Sequence, residues 1–280
     1  MVVSIKSNTS ALVALQQLNA TNKELDSIQE RVSTGLKVRT AKDDSGTFAV
    51  AQKQRADLDA YDAVGQSVQR GINILDVSLE ALKAISNLLI DMKAKAVQAS
   101  NPAITPADRS TIDADYQASV LQVSTIIDSA TFNGFNLINK NPVVPATDDL
   151  SILAEPTASA SLSINVPAIN VKAVTAALFG DVNTLVTAQT ESAALDTMSQ
   201  KISNAMAVLG GTLSRLENHS SFVAKLQDSL TIGIGSLVDA DLGRESARLK
   251  SVQIQQQLST QALQIANSQP QQILALFQNN

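Results

Sequence analysis

Few residues in this 280-residue chain have the type and spacing that chemistry requires. There is no cysteine, and His219 is the single histidine. Without cysteine there are no disulfides, thiolate metal sites or cysteine nucleophiles. One imidazole leaves little scope for zinc or serine–histidine chemistry. A di-metal bundle site needs Glu-x-x-His on two helices, whereas Glu217-Asn218-His219 has the wrong spacing and no second copy. His219 is therefore expected as a neutral, hydrogen-bonded residue in a helix seam. The carboxylate pairs Asp43-Asp44 and Asp239/Asp241 each precede a helical pattern, which predicts capping rather than acid–base or metal work. Gly233-x-Gly235 has no following lysine and makes no phosphate loop. Gly210-Gly211 falls in mid-helix, where it is expected to allow close helix approach or a local bend. The sequence offers no catalytic residue, no metal site and no cofactor site.

The elements that carry these residues are helical. Apolar residues make up 44% of the chain, but there is no Trp, with two Tyr and six Phe. Small aliphatics of this kind suit close helix–helix seams. A net charge of −5 argues against a nucleic-acid or anionic-membrane surface. No stretch is apolar enough to span a bilayer. The opening MVVSIKSNTSALVAL lacks a basic n-region and a full h-region, so no cleaved signal peptide is expected.

Proline divides the chain. The seven prolines stand at 102, 106, 142, 145, 156, 167 and 270. Proline inside a helix costs roughly 3 kcal/mol, so the two empty spans are free to form long helices. In the first, Tyr61, Val68, Leu75, Leu82, Leu89 and Ala96 fall on a seven-residue repeat, with Ile72 and Leu79 in a second register. In the second, Leu195, Ile202, Leu209, Leu216, Val223, Leu230 and Leu237 repeat by seven, with Met198, Ala205 and Leu226 as companions and Thr212 and His219 as polar interruptions. Repeats of this length are a coiled-coil signature. At 1.5 Å per residue each helix would run roughly 60–80 Å, a rod.

A third helix begins at Thr105-Pro106-Ala107-Asp108, with hydroxyl cap, N1 proline and an acid at the third position. Its stripe is Ile112, Tyr116, Val120, Val123 and Ile127, and the turn pair Asn133-Gly134 ends it near Thr131. Leu150–Leu153 and Ser161–Val166 alternate with period two and read as a β-hairpin, with Ile169–Val171 a candidate third strand.

The two ends differ from the middle. Met1 to about Thr34 carries one stripe, Ala11, Leu15, Leu18, Leu25 and Val32. Ser251–Asn280 has no charged residue, where 17% charge would give about five. Leu258, Ala262 and Ile265 form a stripe there, followed by Ile273, Leu274, Leu276 and Phe277. A helix without charges is a poor free-standing surface helix and suits packing inside an assembly. These stripes are the candidate terminal assembly interface. Val68, Leu75, Leu82, Leu89, Ile202, Leu209, Leu216, Val223 and Leu230 are the candidate rod seam.

Several motifs resemble bacterial flagellin. Glu30-Arg31-Val32-Ser33-Thr34-Gly35-Leu36-Lys37-Val38 followed by Ala41-Lys42-Asp43-Asp44 is similar to that family's ERLSTGLR…AKDD signature. Thr131-Phe132-Asn133-Gly134 matches its TxFNG turn. Ala96-Val97-Gln98-Ala99, Leu216-Glu217-Asn218 and Val238-Asp239-Ala240-Asp241 agree as well. Gln253–Gln257 through Ala266–Gln271 resembles its QILQQ…ANQxPQ ending. The likeness covers about residues 1–140 and 185–277. Ser45-Gly46-Thr47 departs from the usual Ala-Ala-Gly. Asp91 and Lys95 replace the arginine and leucine that the animal innate receptor for flagellin uses.

The resemblance implies a mainly α, elongated coiled-coil rod of long antiparallel helices with a small β-hairpin excursion, plus paired N- and C-terminal helices. Residues 1–40 and 236–280 would form a discontinuous inner-tube domain. Residues 41–235 would form the rod, with the hairpin region at about 141–180. The implied function is a non-catalytic subunit that polymerises into the flagellar filament. It would be exported unfolded through a type III channel, with an export chaperone, filament-cap and hook-junction proteins as partners. Thr147, Thr157, Thr187, Thr190 and Ser192 are candidate O-glycosylation sites, as in some flagellins. A hook–filament junction protein and a cytosolic helical-bundle scaffold are the alternatives that the motifs leave open.

Overall fold

The computed structural model describes residues 8–139, 150–156, 163–166, 169–171 and 180–278. In chain order these form α1 (Thr9–Thr34), α2 (Ser45–Ala99), α3 (Pro106–Ser129), β1 (Leu150–Leu153), β2 (Ser163–Val166), α4 (Leu185–Val238) and α5 (Leu242–Gln278). The fold is mainly α. Contacts divide it into two compact units, Met1–Ala56 with Leu230–Asn280, and Asp57–Ser229.

The core of the second unit follows the heptads. On α2 the buried seam positions are Val64, Val68, Gly71, Leu75, Ser78, Leu82, Ile85, Leu89, Met92, Ala96 and Ala99, spaced alternately by four and three, with Ile74 buried beside them. Those on α4 are Ala188, Glu191, Leu195, Met198, Ile202, Ala205, Leu209, Thr212, Leu216 and Val223. The helices run antiparallel, since Lys93 pairs with Asp196 while Gln227 donates to Asp62 at the other end. The second α2 register therefore consists of Val64, Gly71, Ser78, Ile85, Met92 and Ala99, while Ile72 and Leu79 flank it half-buried. Each large aliphatic fully withdrawn from water contributes about 1.5–3 kcal/mol. Ser78 and Thr212 satisfy their hydroxyls on the carbonyls of Ile74 and Val208, four residues back.

Local rules set the ends of α3. Thr105 Oγ1 accepts from the Asp108 amide at 3.2 Å and donates to its carboxylate at 2.7 Å, with Pro106 at N1. Arg109 then reaches back, Nε donating to the Ala99 carbonyl and a terminal nitrogen to that of Asn101, so α3 caps the end of α2. After α3, Asn133 (φ 50°) and Gly134 (φ 83°) both take the left-handed conformation. Phe132 and Phe135 exchange two 3.0 Å backbone bonds around them, a primed two-residue turn that requires these residue types.

The hairpin pairs antiparallel, Leu150 opposite Val166 and Ile152 opposite Ile164. Ile152 is buried against Gly71, where a Cβ would lie 2.1 Å from its Cδ1. The Leu153 amide donates to Ser67 Oγ, and His219 Nε2 lies 2.9 Å from the Ala154 carbonyl. A carbonyl only accepts, so Nε2 carries the proton. His219 is thus a hydrogen-bonded seam residue that ties α4 to the hairpin. Ile169–Val171 does not extend this sheet. Its amides at Ile169 and Val171 donate to Leu137 and Ile138, beside the turn after α3. At Gly210-Gly211 close approach is not the reason for glycine, because a Cβ on either would meet nothing within 4 Å. α4 continues through both, whereas close approach does demand a glycine at Gly71 on α2.

Candidate assembly surface on the terminal helix pair

In the first unit, two connectors meet side by side. α1 ends at Gly35 (φ 71°), whose amide donates to the Arg31 carbonyl, a left-handed stop that favours glycine. The next residues pair with the α4–α5 connector: Lys37 N to Val238 O at 2.6 Å, and Ala240 N to Gly35 O at 2.8 Å. Val38 and Val238 are buried at this crossing.

Three of the four paired carboxylates, Asp43, Asp44 and Asp241, accept from backbone amides. Asp44 accepts from the Thr47 hydroxyl and from the Gly46 and Thr47 amides at the start of α2. These donors, the Thr47 hydroxyl foremost, hold its carboxyl below the usual range. Ser45-Gly46-Thr47 therefore supplies its own capping hydroxyl. Asp43 accepts from the Arg39 and Thr40 amides, which lower it likewise. Arg39 lies 2.6 Å from Glu30 and depresses that carboxyl by hydrogen bond and charge. Asp241 caps α5 through the Arg244 amide. Among the described residues no group of three or more His, Cys, Asp or Glu is placed to hold a metal ion, and no helix is long and apolar enough to cross a membrane.

α1 and α5 pack antiparallel, pinned by three polar contacts. Arg31 lies 3.8 Å from Glu245, Gln256 Nε2 donates to Asn22 at 2.8 Å, and Asn8 Nδ2 donates to the Ala266 carbonyl at 2.7 Å. The facing positions on α1 are Ala11, Ala14, Leu18, Thr21, Leu25, Ile28 and Val32, all half-buried or buried. Those on α5 are Glu245, Leu249, Val252, Gln256, Ser259, Leu263 and Ala266. Both sets alternate steps of three and four, the spacing of a coiled-coil seam. Its apolar base is Leu25, Ile28 and Val252, with Val32 and Leu249 against them. Towards Asn8 the seam turns small and polar. There a cavity of about 350 Å³ opens along one flank, lined by Ser10, Val13, Ala14, Gln17, Ser259, Ala262 and Ala266.

The stripes read from sequence divide between two environments. Leu18, Leu25 and Val32 lie in the seam, whereas Leu15, 45% exposed, points away from it. Leu258 and Ile265 are 57% and 69% exposed, and Ala262 is exposed too. Ile273, Leu276 and Phe277 lie within α5; their side chains fall outside the described residues. Sequence reasoning misses Ala14, Thr21, Ile28, Val252 and Gln256, although their three–four spacing is present in the chain. In the second unit Val68, Leu75, Leu82, Leu89, Ile202, Leu209, Leu216 and Val223 are buried together; in the first, Leu230 is half-buried. Thr147 and Thr157 lie outside the described residues. Thr190 is exposed, and Thr187 and Ser192 are half-buried.

Exposed aliphatics on the charge-free stretches of these two helices suit packing against protein, and comparison with known chains makes the class definite. Residues 5–142 match the bacterial flagellin N-terminal helical region, and residues 192–277 the bacterial flagellin C-terminal helical region. Flagellin FljO of Caulobacter vibrioides is 40% identical over 274 residues, covering 98% of each chain. A flagellin of Brucella melitensis is 35% identical over 292 residues, covering 99% of each. The crystal structure of Bacillus cereus flagellin aligns with a TM-score of 0.51 and 27% identity, over 56% of this chain and 88% of that one. A putative flagellar hook-associated protein from Vibrio parahaemolyticus, 14% identical with a TM-score of 0.58 over 70% of this chain and all of the other, shares the fold. The chain belongs to the bacterial flagellin family. It is a structural subunit of the flagellar filament.

Proposed function

We propose that this subunit polymerises through the outward faces of α1 and α5 and performs no catalysis. One observation carries the reading. Thr9–Asn22 and Ser251–Asn280 contain no charged residue, yet Leu12, Leu15, Ile254, Leu258 and Ile265 stand 45–69% exposed on these helices. Covering that surface with a second copy stabilises association by roughly 25 cal/mol per Å² of apolar area. Ile273, Leu276 and Phe277 extend the same uncharged helix in sequence. The seam between α2 and α4 supplies the rod of residues 41–235, and residues 1–40 with 236–280 form the inner-tube domain. Export proceeds unfolded, with a chaperone on the C-terminal segment and cap and hook-junction proteins at the filament ends. The family motifs support these partners. O-linked sugar on the candidate hydroxyls is a subsidiary proposal, best presented at Thr190, and an intact mass equal to the bare chain overturns it.

Deleting Gln261–Asn280 tests the main reading. The truncated chain is expected to keep its helical circular dichroism and to form no tubes by electron microscopy. Normal filaments from that truncation would end the proposal.

A further inference from the structure

We infer that the cavity between α1 and α5 is a socket for the Leu12–Leu15 ridge of a second copy, an inference that rests on assembly through these helices. The socket exists because facing seam residues are small. Ala11 opposes Ala266, Ala14 opposes Leu263 and Leu18 opposes Ser259 in the register fixed by Asn8–Ala266 and Asn22–Gln256. The resulting space, about 350 Å³, is over twice the ~150 Å³ apolar cavity that accommodates a benzene. Its walls are the methyl groups of Val13, Ala14, Ala262 and Ala266, with Ser10, Gln17 and Ser259 as neutral polar edges. No charge lines it, so its occupant is a neutral aliphatic group.

The chain carries such a group where it cannot serve itself. At about 100° per residue, Leu12 and Leu15 lie about 150° round α1 from the line of Ser10, Val13, Ala14 and Gln17. They are 62% and 45% exposed. Leu258 and Ile265 sit within about 60° of Ala262 on α5, so they prolong the socket's outer wall instead of competing for it. Ridge and socket are thus different surfaces on opposite flanks of one helix pair. A contact between them is heterologous and open-ended, which propagates a fibre rather than closing a dimer.

The experiment is seeded elongation of full-length variants, followed by light scattering. Ala262→Leu fills the socket from within. It is expected to keep or raise the thermal midpoint of the subunit and to slow elongation at least tenfold. Leu12→Ala/Leu15→Ala alters only exposed side chains, so folding is preserved, and it is expected to lose elongation to a similar degree. Each variant added below stoichiometry should slow growth of the unaltered protein, since each retains one half of the contact. Ala262→Ser, which leaves the space open, should elongate normally. Elongation at the unaltered rate by the ridge variant, or by a folded Ala262→Leu subunit, overturns the socket. If the Gln261–Asn280 deletion still fails to polymerise in that case, assembly through the terminal helices stands without it.

Discussion

The Tyr116 hydroxyl, on α3, donates to a carboxylate oxygen of Glu191, on α4, at 3.2 Å, and both residues are buried. Glu191 also bears on Gly180, where a Cβ would come within 2.7 Å of Oε1. Nearby, the Asp113 carboxylate receives the Val182 amide at 2.7 Å, and Gln117 donates to the Gly180 carbonyl. A phenol and two carboxylates therefore fasten the segment leading into α4.

Removing that hydroxyl leaves a buried carboxylate oxygen without its donor. Tyr116→Phe is expected to lower stability by about 1–3 kcal/mol, read as a shift in the urea midpoint. Burial, reinforced by the charges of Glu191 and Asp113, pushes the phenol well above its ordinary value. The unfolded chain releases this proton near pH 10 while the folded chain keeps it. The contribution is present below that pH and is lost as pH rises beyond it. Unaltered protein should lose stability above about pH 10 more steeply than Tyr116→Phe, and parallel curves would refute the assignment.

The opposite sign holds at the connector. Glu30, Asp43 and Asp44 are all depressed by donors that bond their charged forms. Their contribution is present above the ordinary carboxylate range, near pH 4, and lost as pH falls through the lowered values. Amide exchange at Arg39, Thr40, Gly46 and Thr47, corrected for intrinsic rates, should accelerate below pH 4. Asp44→Ala should bring the Gly46 and Thr47 acceleration to neutral pH, while Asp44→Asn retains most protection.

Three glycines on long helices should respond in opposite directions. Gly71→Ala drives a methyl into Ile152 and is expected to cost about 1–3 kcal/mol through displacement of the hairpin. Gly210→Ala and Gly211→Ala meet open space and should each stabilise by roughly 0.5–1 kcal/mol. Thermal or urea midpoints of the three variants decide the matter, and a destabilised Gly210→Ala would contradict the observed packing.

Polar contacts hold the terminal register. Gln256 is half-buried and bonds Asn22, next to buried Thr21, whose hydroxyl already serves the Gln17 carbonyl. Gln256→Leu is expected to leave α1 and α5 paired but to weaken their alignment, as loss of a polar seam residue does in coiled coils. The facing pair Leu18→Cys and Ser259→Cys reports that alignment by oxidative cross-linking. Adding Gln256→Leu to the pair should make the cross-link slower and less complete, and an unchanged yield would show that Gln256 does not set the register.

Much of this was legible from the chain itself. Leu75, Leu82, Leu209 and Leu216 declare the second unit's seam because a seven-residue repeat over so many turns has one buried solution. Thr105, Asp44 and Asn133-Gly134 mark their caps and turn through bonds made within four residues, so no distant partner is needed. Only the tertiary structure chose between Ala14 and Leu15 for the terminal seam. Both are apolar, no charged neighbour marks a wet side, and the choice rests on contacts such as Asn8–Ala266, 258 residues apart. The same holds for His219 and Gly71, whose partners Ala154 and Ile152 come from a hairpin folded back across the helices. Local pattern fixes what bonds to its own neighbourhood; which flank of an uncharged helix is covered is decided by whatever the chain brings to it from far away.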